Sequence, residues 1–191
     1  KKILFISFFF RGYLLYHTPL INIIKNLYPD SELDVWVKSR TSDILENNPY
    51  INEIIIFDDI KTAEYNDVTS YNFKGKLRLL KRIRKSNYDL IIDFTGLYST
   101  ALFVLFSKAN NSFGKNLQEF GFCYTRYDNT NTFMTPGHLI KKNIDILKKG
   151  LQVDNDLWKT AIRNVNLKPQ IFINDEIVKL IDLELEKRNY D

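Results

Sequence analysis

Apolar residues in this chain follow two alternating patterns, short unbroken runs and longer stretches with helical spacing. The run from Ile3 to Phe10, interrupted by Ser7 alone, has the length and composition of a buried strand. It ends at Arg11-Gly12, which reads as a tight glycine turn, and a helical pattern follows from about Leu14 to Tyr28, stopped by Pro29-Asp30. Leu33–Lys38 reads as a second strand, and Thr41-Ser42-Asp43 as the cap of a short helix that ends at Asn47-Asn48-Pro49. Glu53–Phe57, rich in β-branched residues, is a third strand. A polar stretch from Asp58 to Asn72 reads as a loop before a basic helix from about Phe73 to Lys85. Asp89–Phe94 is a fourth strand, and Thr95-Gly96 turns the chain into an apolar helix near Leu97–Ser107. A short strand is expected around Ser112–Gly114, followed by an aperiodic stretch, Lys115 to Pro136, that reads as a long loop near a site. Helices from His138 to about Lys149, closed by Gly150, and from Asn174 to about Arg188 complete the pattern.

Strands separated by helices imply crossover connections, and hence an α/β, Rossmann-like, mostly parallel sheet with helices on both faces. In such sheets ligands bind in the crevice outside the carboxyl ends of the strands. The residues after the first and fourth strands, Arg11-Gly12 and Thr95-Gly96, are therefore the first place to look for chemistry. The chain opens on lysine rather than methionine and closes on a helical pattern, Glu184 to Asp191, where a further strand is expected. It reads as the first half of something larger, with one domain over 1–165 and a helical linker over 166–191.

Composition adds bounds. A hydrophobic share of 45% and a charged share of 26% are those of an ordinary soluble globular protein. No apolar run approaches the roughly 18 residues of a membrane span, and no signal-peptide pattern is visible. One cysteine, Cys123, excludes an intramolecular disulfide and fits a reducing compartment, so a cytoplasmic location is expected. The net charge of +4 is unevenly placed: Lys74, Lys76, Arg78, Lys81, Arg82, Arg84 and Lys85 follow one another with no acid between them. This patch reads either as a solvated face beside a core stripe of Leu77, Leu80 and Ile83, or as a contact for a phosphorylated acceptor or an anionic membrane surface. Nucleic acid ranks low, because stacking aromatics lie only at the margins, Phe73 and Tyr88.

Common signatures are absent. Gly12 stands alone where a dinucleotide fold has G-x-G-x-x-G, and no G-x-x-x-x-G-K-[ST] or G-x-S-x-G occurs. The two histidines, His17 and His138, and Cys123 lack metal-site spacing, so no metal and no bound cofactor are expected.

What remains is a collinear series of short patterns. Arg11-Gly12-Tyr13-Leu14-Leu15-Tyr16-His17-Thr18-Pro19-Leu20, Asn48-Pro49-Tyr50-Ile51-Asn52-Glu53-Ile54, Tyr88-Asp89-Leu90-Ile91-Ile92-Asp93-Phe94-Thr95-Gly96-Leu97, and Gly137-His138 with Lys142-Asn143 occur in that order. Together they resemble the heptosyltransferase-like glycosyltransferases of family nine, over roughly the first 150 residues. The resemblance implies the amino-terminal, acceptor-binding half of a two-domain glycosyltransferase-B architecture, with the nucleotide-sugar domain following residue 191. It implies inverting transfer of a heptose-like sugar from an ADP-heptose-like donor to a lipopolysaccharide-core or other surface glycan, in the cytoplasm or peripherally on the inner membrane face.

One departure matters. The family places a carboxylate after the turn glycine, suited to take the acceptor proton. Here that position is Tyr13, and a phenol with an ordinary pKa near 10 is a poor base at neutral pH. Either another group substitutes, with Asp93, His17 and His138 available, or the chain binds a glycan or partner without catalysis, or Tyr13 itself packs on a sugar face. The candidate set is Tyr13, Asp93 and His138 for catalysis and Arg11, Gly12, His17 and Gly96 for acceptor binding. For Asp93 the competing reading is a turn cap, for His17 a packed core histidine, and for both glycines turn geometry alone.

Overall fold

A computed structural model describes residues 1–56, 73–132, 134, 136–163, 165–174, 177–179 and 182–183. Its centre is a six-stranded, all-parallel sheet in the order β3-β2-β1-β4-β5-β6. The strands are β1 (Lys2–Ile6), β2 (Glu32–Val37), β3 (Glu53–Ile56), β4 (Leu90–Asp93), β5 (Asn111–Lys115) and β6 (Arg126–Asp128). The helices are α1 (Arg11–Leu15), α2 (Thr18–Leu27), α3 (Ser39–Ser42), α4 (Phe73–Ser86), α5 (Tyr98–Ser107), α6 (Leu139–Leu151) and α7 (Asn155–Arg163). This is the doubly wound order whose direction reverses between β1 and β4.

Alternation along the strands sorts the core into two layers. Ile3, Phe5, Leu33, Val35, Leu90, Ile92 and Phe113 point to the layer shared with α1, α2, α6 and α7. Leu4, Ile6, Trp36, Ile55 and Ile91 point to the layer shared with α4 and α5. Because both faces are covered, the central strands are apolar at most positions, with Asp34 and Asp93 the buried exceptions, and the sequence shows them as runs rather than as alternation.

Several boundaries differ from expectation for identifiable reasons. The expected helix from Leu14 to Tyr28 is two helices, broken at Tyr16-His17. Pro19 has no N–H to give Leu15, and the Thr18 hydroxyl donates to the Leu15 carbonyl instead, at 2.9 Å. Gly12 makes no turn: the β1–α1 connection is Ser7–Phe10, and Gly12 lies inside α1 without left-handed backbone. Thr41 does not cap the next helix but lies within it, its hydroxyl donating to the Lys38 carbonyl. Gly150 does not close α6, which continues to Leu151 and ends on left-handed Gln152. On α4 the buried positions are Leu79 and Ile83, whereas Leu77, expected in the core, is 41% exposed.

Strand β6 and helix α7 were not expected at all. Asp154 starts α7 by accepting from the Asp156 and Leu157 amides, and Trp158 and Ala161 pack against α2. The expected linker is not helical over 165–174; Gln170 is tied to Asn22 and Thr18 of α2. The expected loop from Asp58 to Asn72, Phe57 at the end of the third strand, and most of the helix expected from Asn174 lie outside the described residues.

Gly150 gives a direct test of packing. A Cβ there would come within 2.4 Å of the Phe113 ring. Alanine is the better helix former by about 1 kcal/mol, but overpacking a closed site costs about 1–3 kcal/mol. Gly150→Ala is expected to lower the denaturant midpoint, the reverse of what helix propensity alone predicts.

Candidate active site

The carboxyl ends of β1, β4 and β5 converge on a small polar cluster beneath the start of α1. Two connections leave from there to opposite faces, β1 into α1 and β4 into α5. They are stitched together where the Phe8 amide donates to the Thr95 hydroxyl at 3.0 Å.

Asp93, the last residue of β4, is fully buried. One carboxylate oxygen accepts from the Thr95 and Gly96 amides at 2.8 and 3.3 Å, and the other accepts from the Tyr124 hydroxyl at 2.8 Å. Burial pushes its carboxyl above the ordinary range against these bonds. It holds the turn in which Gly96 adopts φ +67°, a conformation suited to glycine. A Cβ on Gly96 would also come within 2.5 Å of the Lys115 carbonyl.

Tyr13 lies on α1, 8% exposed, with its ring against Phe9 at 4.2 Å and His17 at 5.0 Å. Its hydroxyl hydrogen-bonds Thr132 Oγ1 at 2.9 Å, and burial raises its pKa above the phenolic value. His17, at the start of α2, is wholly buried in a ring of Phe5, Phe9, Tyr13 and Phe94. Its Nδ1 shares a hydrogen bond with the Ser7 hydroxyl at 2.9 Å, and its Nε2 has no hydrogen-bond partner among the described residues. Burial first, and Lys115 second, hold its pKa well below the usual imidazole value, so it is neutral.

Lys115 is the unexpected member. It ends β5 with no exposed surface, and its ammonium donates to Thr132 Oγ1 at 3.0 Å. The Phe9 and Phe94 rings lie 5.9 and 6.0 Å from the nitrogen. Burial brings its pKa down to about 8, opposed by Asp128 and Asp93 and reinforced by Lys142. Lys142 on α6 donates to the Thr132 carbonyl. Asn143, buried beside them, interacts with the Tyr13 phenol and draws its pKa downward against the effect of burial.

Of the candidate residues, Tyr13, His17, Asp93 and Gly96 are thus brought to one place. Arg11 is exposed and ion-paired with Asp43 at 2.9 Å. A Cβ at Gly12 would meet nothing within 4 Å, so neither backbone conformation nor packing requires glycine there. His138 precedes α6, exposed, with Tyr16 at 6.5 Å. Sequence reasoning missed Lys115 and Thr132, which fall in the aperiodic stretch; the available signal was a lysine closing a buried strand at the ligand edge. Among the described residues, no three His, Cys, Asp or Glu gather as metal ligands, and no helix is long and apolar enough to cross a membrane.

With this geometry in hand the chain can be set beside known proteins. No family model matches it. A curated relative, lipopolysaccharide heptosyltransferase 3 of Escherichia coli K12, is 26% identical over 95% of this chain and 59% of its own length. A second Escherichia coli heptosyltransferase 3 is also 26% identical, over 80% of this chain and 44% of its own. The chain is thus similar in sequence to lipopolysaccharide heptosyltransferases. Solved structures agree on the fold. A glycosyl transferase family 9 protein from Veillonella parvula matches all of the chain at a TM-score of 0.80 and 18% identity. Escherichia coli ADP-heptose heptosyltransferase II matches all of it at 0.69 and 16%. The chain spans 59% of the length of the first relative and 51% of the Veillonella protein.

The cluster's charge state predicts a pH dependence. Between about pH 8 and 10.5 the folded chain has released the Lys115 proton while the unfolded chain still holds it. The unfolded state then binds more protons, so this group adds stability as pH rises through that window. Urea titrations at several pH values are expected to show the wild-type protein gaining on Lys115→Met by up to about 3 kcal/mol across it, with a constant difference below pH 7.

Proposed function

We propose that this chain is the amino-terminal, acceptor-side domain, over 1–165, of a glycosyltransferase. The enzyme moves a heptose-like sugar from a nucleotide-sugar to a lipopolysaccharide-core or related glycan, with inversion. The observation that carries this reading is the curated heptosyltransferase relative, aligned over 95% of the chain. A second support is the solved heptosyltransferase WaaC bound to ADP-2-deoxy-2-fluoro heptose, which shares the fold at a TM-score of 0.64. The donor is then an ADP-heptose-like nucleotide-sugar held mainly by a second domain beyond the linker, and the crevice over Tyr13, His17 and Gly96 receives the acceptor. Arg11 and His138, both exposed, are proposed as rim contacts, and Asp93 as the group that sets the crevice's floor.

Tyr13 favours a second reading, a glycan- or partner-binding protein without turnover, because its neutral, hydrogen-bonded phenol is no ready base. The two readings part on one assay. The full-length protein, given ADP-heptose and a heptose-deficient lipopolysaccharide, is expected to release ADP and yield a product of inverted anomeric configuration by NMR. No ADP release, together with no donor binding by calorimetry, would exclude the enzyme.

The basic helix supports a peripheral site of action. Lys74, Arg78, Lys81 and Lys85 are exposed and recur at helical spacing along one stripe of α4. Each basic residue near an anionic bilayer contributes about 1 kcal/mol. Replacing Arg78, Lys81 and Lys85 by Gln is expected to weaken sedimentation with phosphatidylglycerol vesicles by about a hundredfold. Equal binding to anionic and neutral vesicles would remove the electrostatic membrane contact.

A further inference from the structure

The glycosyltransferase reading leaves the crevice without the carboxylate that would take the acceptor's proton, and the substitute inferred for that carboxylate rests on the same reading. Two hydrogen bonds share one oxygen: Tyr13 Oη to Thr132 Oγ1 at 2.9 Å and Lys115 Nζ to Thr132 Oγ1 at 3.0 Å. Tyr13 is the outermost of the three, and Lys115 is fully enclosed. We propose that Tyr13, Thr132 and Lys115 form a proton path that carries the acceptor hydroxyl's proton from the crevice to the buried Lys115 amine.

Each link has the chemistry the path needs. Phenol and hydroxyl can each accept one proton while giving up another. Lys115 can receive a proton only when neutral, and it is faced by Asp93 from β4, Asp128 from β6, Lys142 from α6, and the rings of Phe9 and Phe94. The neighbouring His17 is neutral and adds no competing charge. Burial brings the amine close enough to neutrality to serve near physiological pH.

The step balances. An acceptor oxygen lone pair forms the bond to the donor's anomeric carbon, and the bond from that carbon to the diphosphate oxygen breaks with its electron pair leaving on the nucleotide. The acceptor proton passes to Tyr13 Oη, the phenol's own proton to Thr132 Oγ1, and the threonine's proton to Lys115 Nζ, which becomes an ammonium. Return of that proton along the same path to water resets the site. Tyr13 meets the acceptor; Thr132 and Lys115 act through it.

A carboxylate base is ionised well below neutrality, so its rate is flat near pH 8, whereas this path turns on as Lys115 loses its charge. In the full-length protein with ADP-heptose and heptose-deficient lipopolysaccharide, kcat is expected to rise with pH to a plateau, with a midpoint near 8. Tyr13→Phe, Thr132→Val and Lys115→Met are each expected to lose that rise and to lower kcat roughly 10²–10⁴-fold, with donor KM little changed. Tyr13→Asp placed on Lys115→Met is expected to restore turnover with a midpoint below pH 7, a rescue that a purely structural lysine would not permit. Full activity and an unchanged pH rise in Lys115→Met would overturn the path.

A readout without turnover separates this from the wider reading. NMR of the chain with ¹³C-labelled lysine and tyrosine is expected to give a Lys115 midpoint near 8, identified by its absence in Lys115→Arg. The Tyr13 ring signal should follow the same midpoint, and the coupling should vanish in Thr132→Val. Coupling in a protein that consumes no ADP-heptose would uphold the path and reject that donor. A Lys115 midpoint at the ordinary value near 10.4, or a Tyr13 signal blind to it, would overturn the path even in an active transferase.

Discussion

The constraint on which this molecule depends is the reversal of winding between β1 and β4. With β1 in the middle of a parallel sheet, the chain leaves its carboxyl end toward one face and leaves the carboxyl end of β4 toward the other. Neither connection can cover the gap between the two strand ends. Backbone groups there must be satisfied by side chains, since water cannot reach them. Thr95 meets the Phe8 amide, and Asp93 meets two amides of its own turn. Lys115, from the next strand, closes the floor beneath. The polar cluster is therefore first a solution to a packing problem, and chemistry is possible at Tyr13 because that solution places dense, dry, oriented dipoles below it.

The same logic separates the short motifs of the sequence into two groups. Asn52 and Tyr88 both donate to the buried carboxylate of Asp34, at 2.8 and 2.6 Å. Asp89 accepts from the Lys2 amide at 2.8 Å. These residues pin β1, β2 and β4 in register near their amino ends, away from the crevice. Asn48 folds its side chain onto the Tyr50 amide and shapes a turn. The motif residues gathered at the crevice's floor are Tyr13, His17, Asp93, Gly96, Lys142 and Asn143. Recurring letters thus mark two different needs, a register and a site, and only burial and hydrogen-bond partners tell them apart.

The alternation of runs and helices made the architecture legible, because fully covered parallel strands carry an unbroken apolar code. Five of the six strands carried that code or a turn beside it. β6 did not, since Arg126-Tyr127-Asp128 is a short edge strand with no apolar run. Helix α7 hid behind a polar composition, with Trp158 and Ala161 its main buried anchors. The site was half legible. Tyr13 and Asp93 stood beside strand ends, where local sequence speaks. Thr132 reaches Tyr13 across 119 residues and Lys115 across the width of two strands, and no local pattern encodes such a meeting.

Tyrosine at position 13 is also consistent with its surroundings in a way that a single letter cannot show. Burial pushes four groups of the floor toward their uncharged forms: the Asp93 carboxyl and Tyr13 phenol upward, the His17 imidazole and Lys115 amine downward. A carboxylate at position 13 would add a negative charge over this floor. It would draw the Lys115 amine toward its cationic form, because a nearby opposite charge favours ionisation. The phenol makes no such demand. It leaves the lysine near the edge of neutrality, so a carboxylate at 13 and a proton-accepting Lys115 are alternative designs of one floor. Each works by suppressing what the other needs.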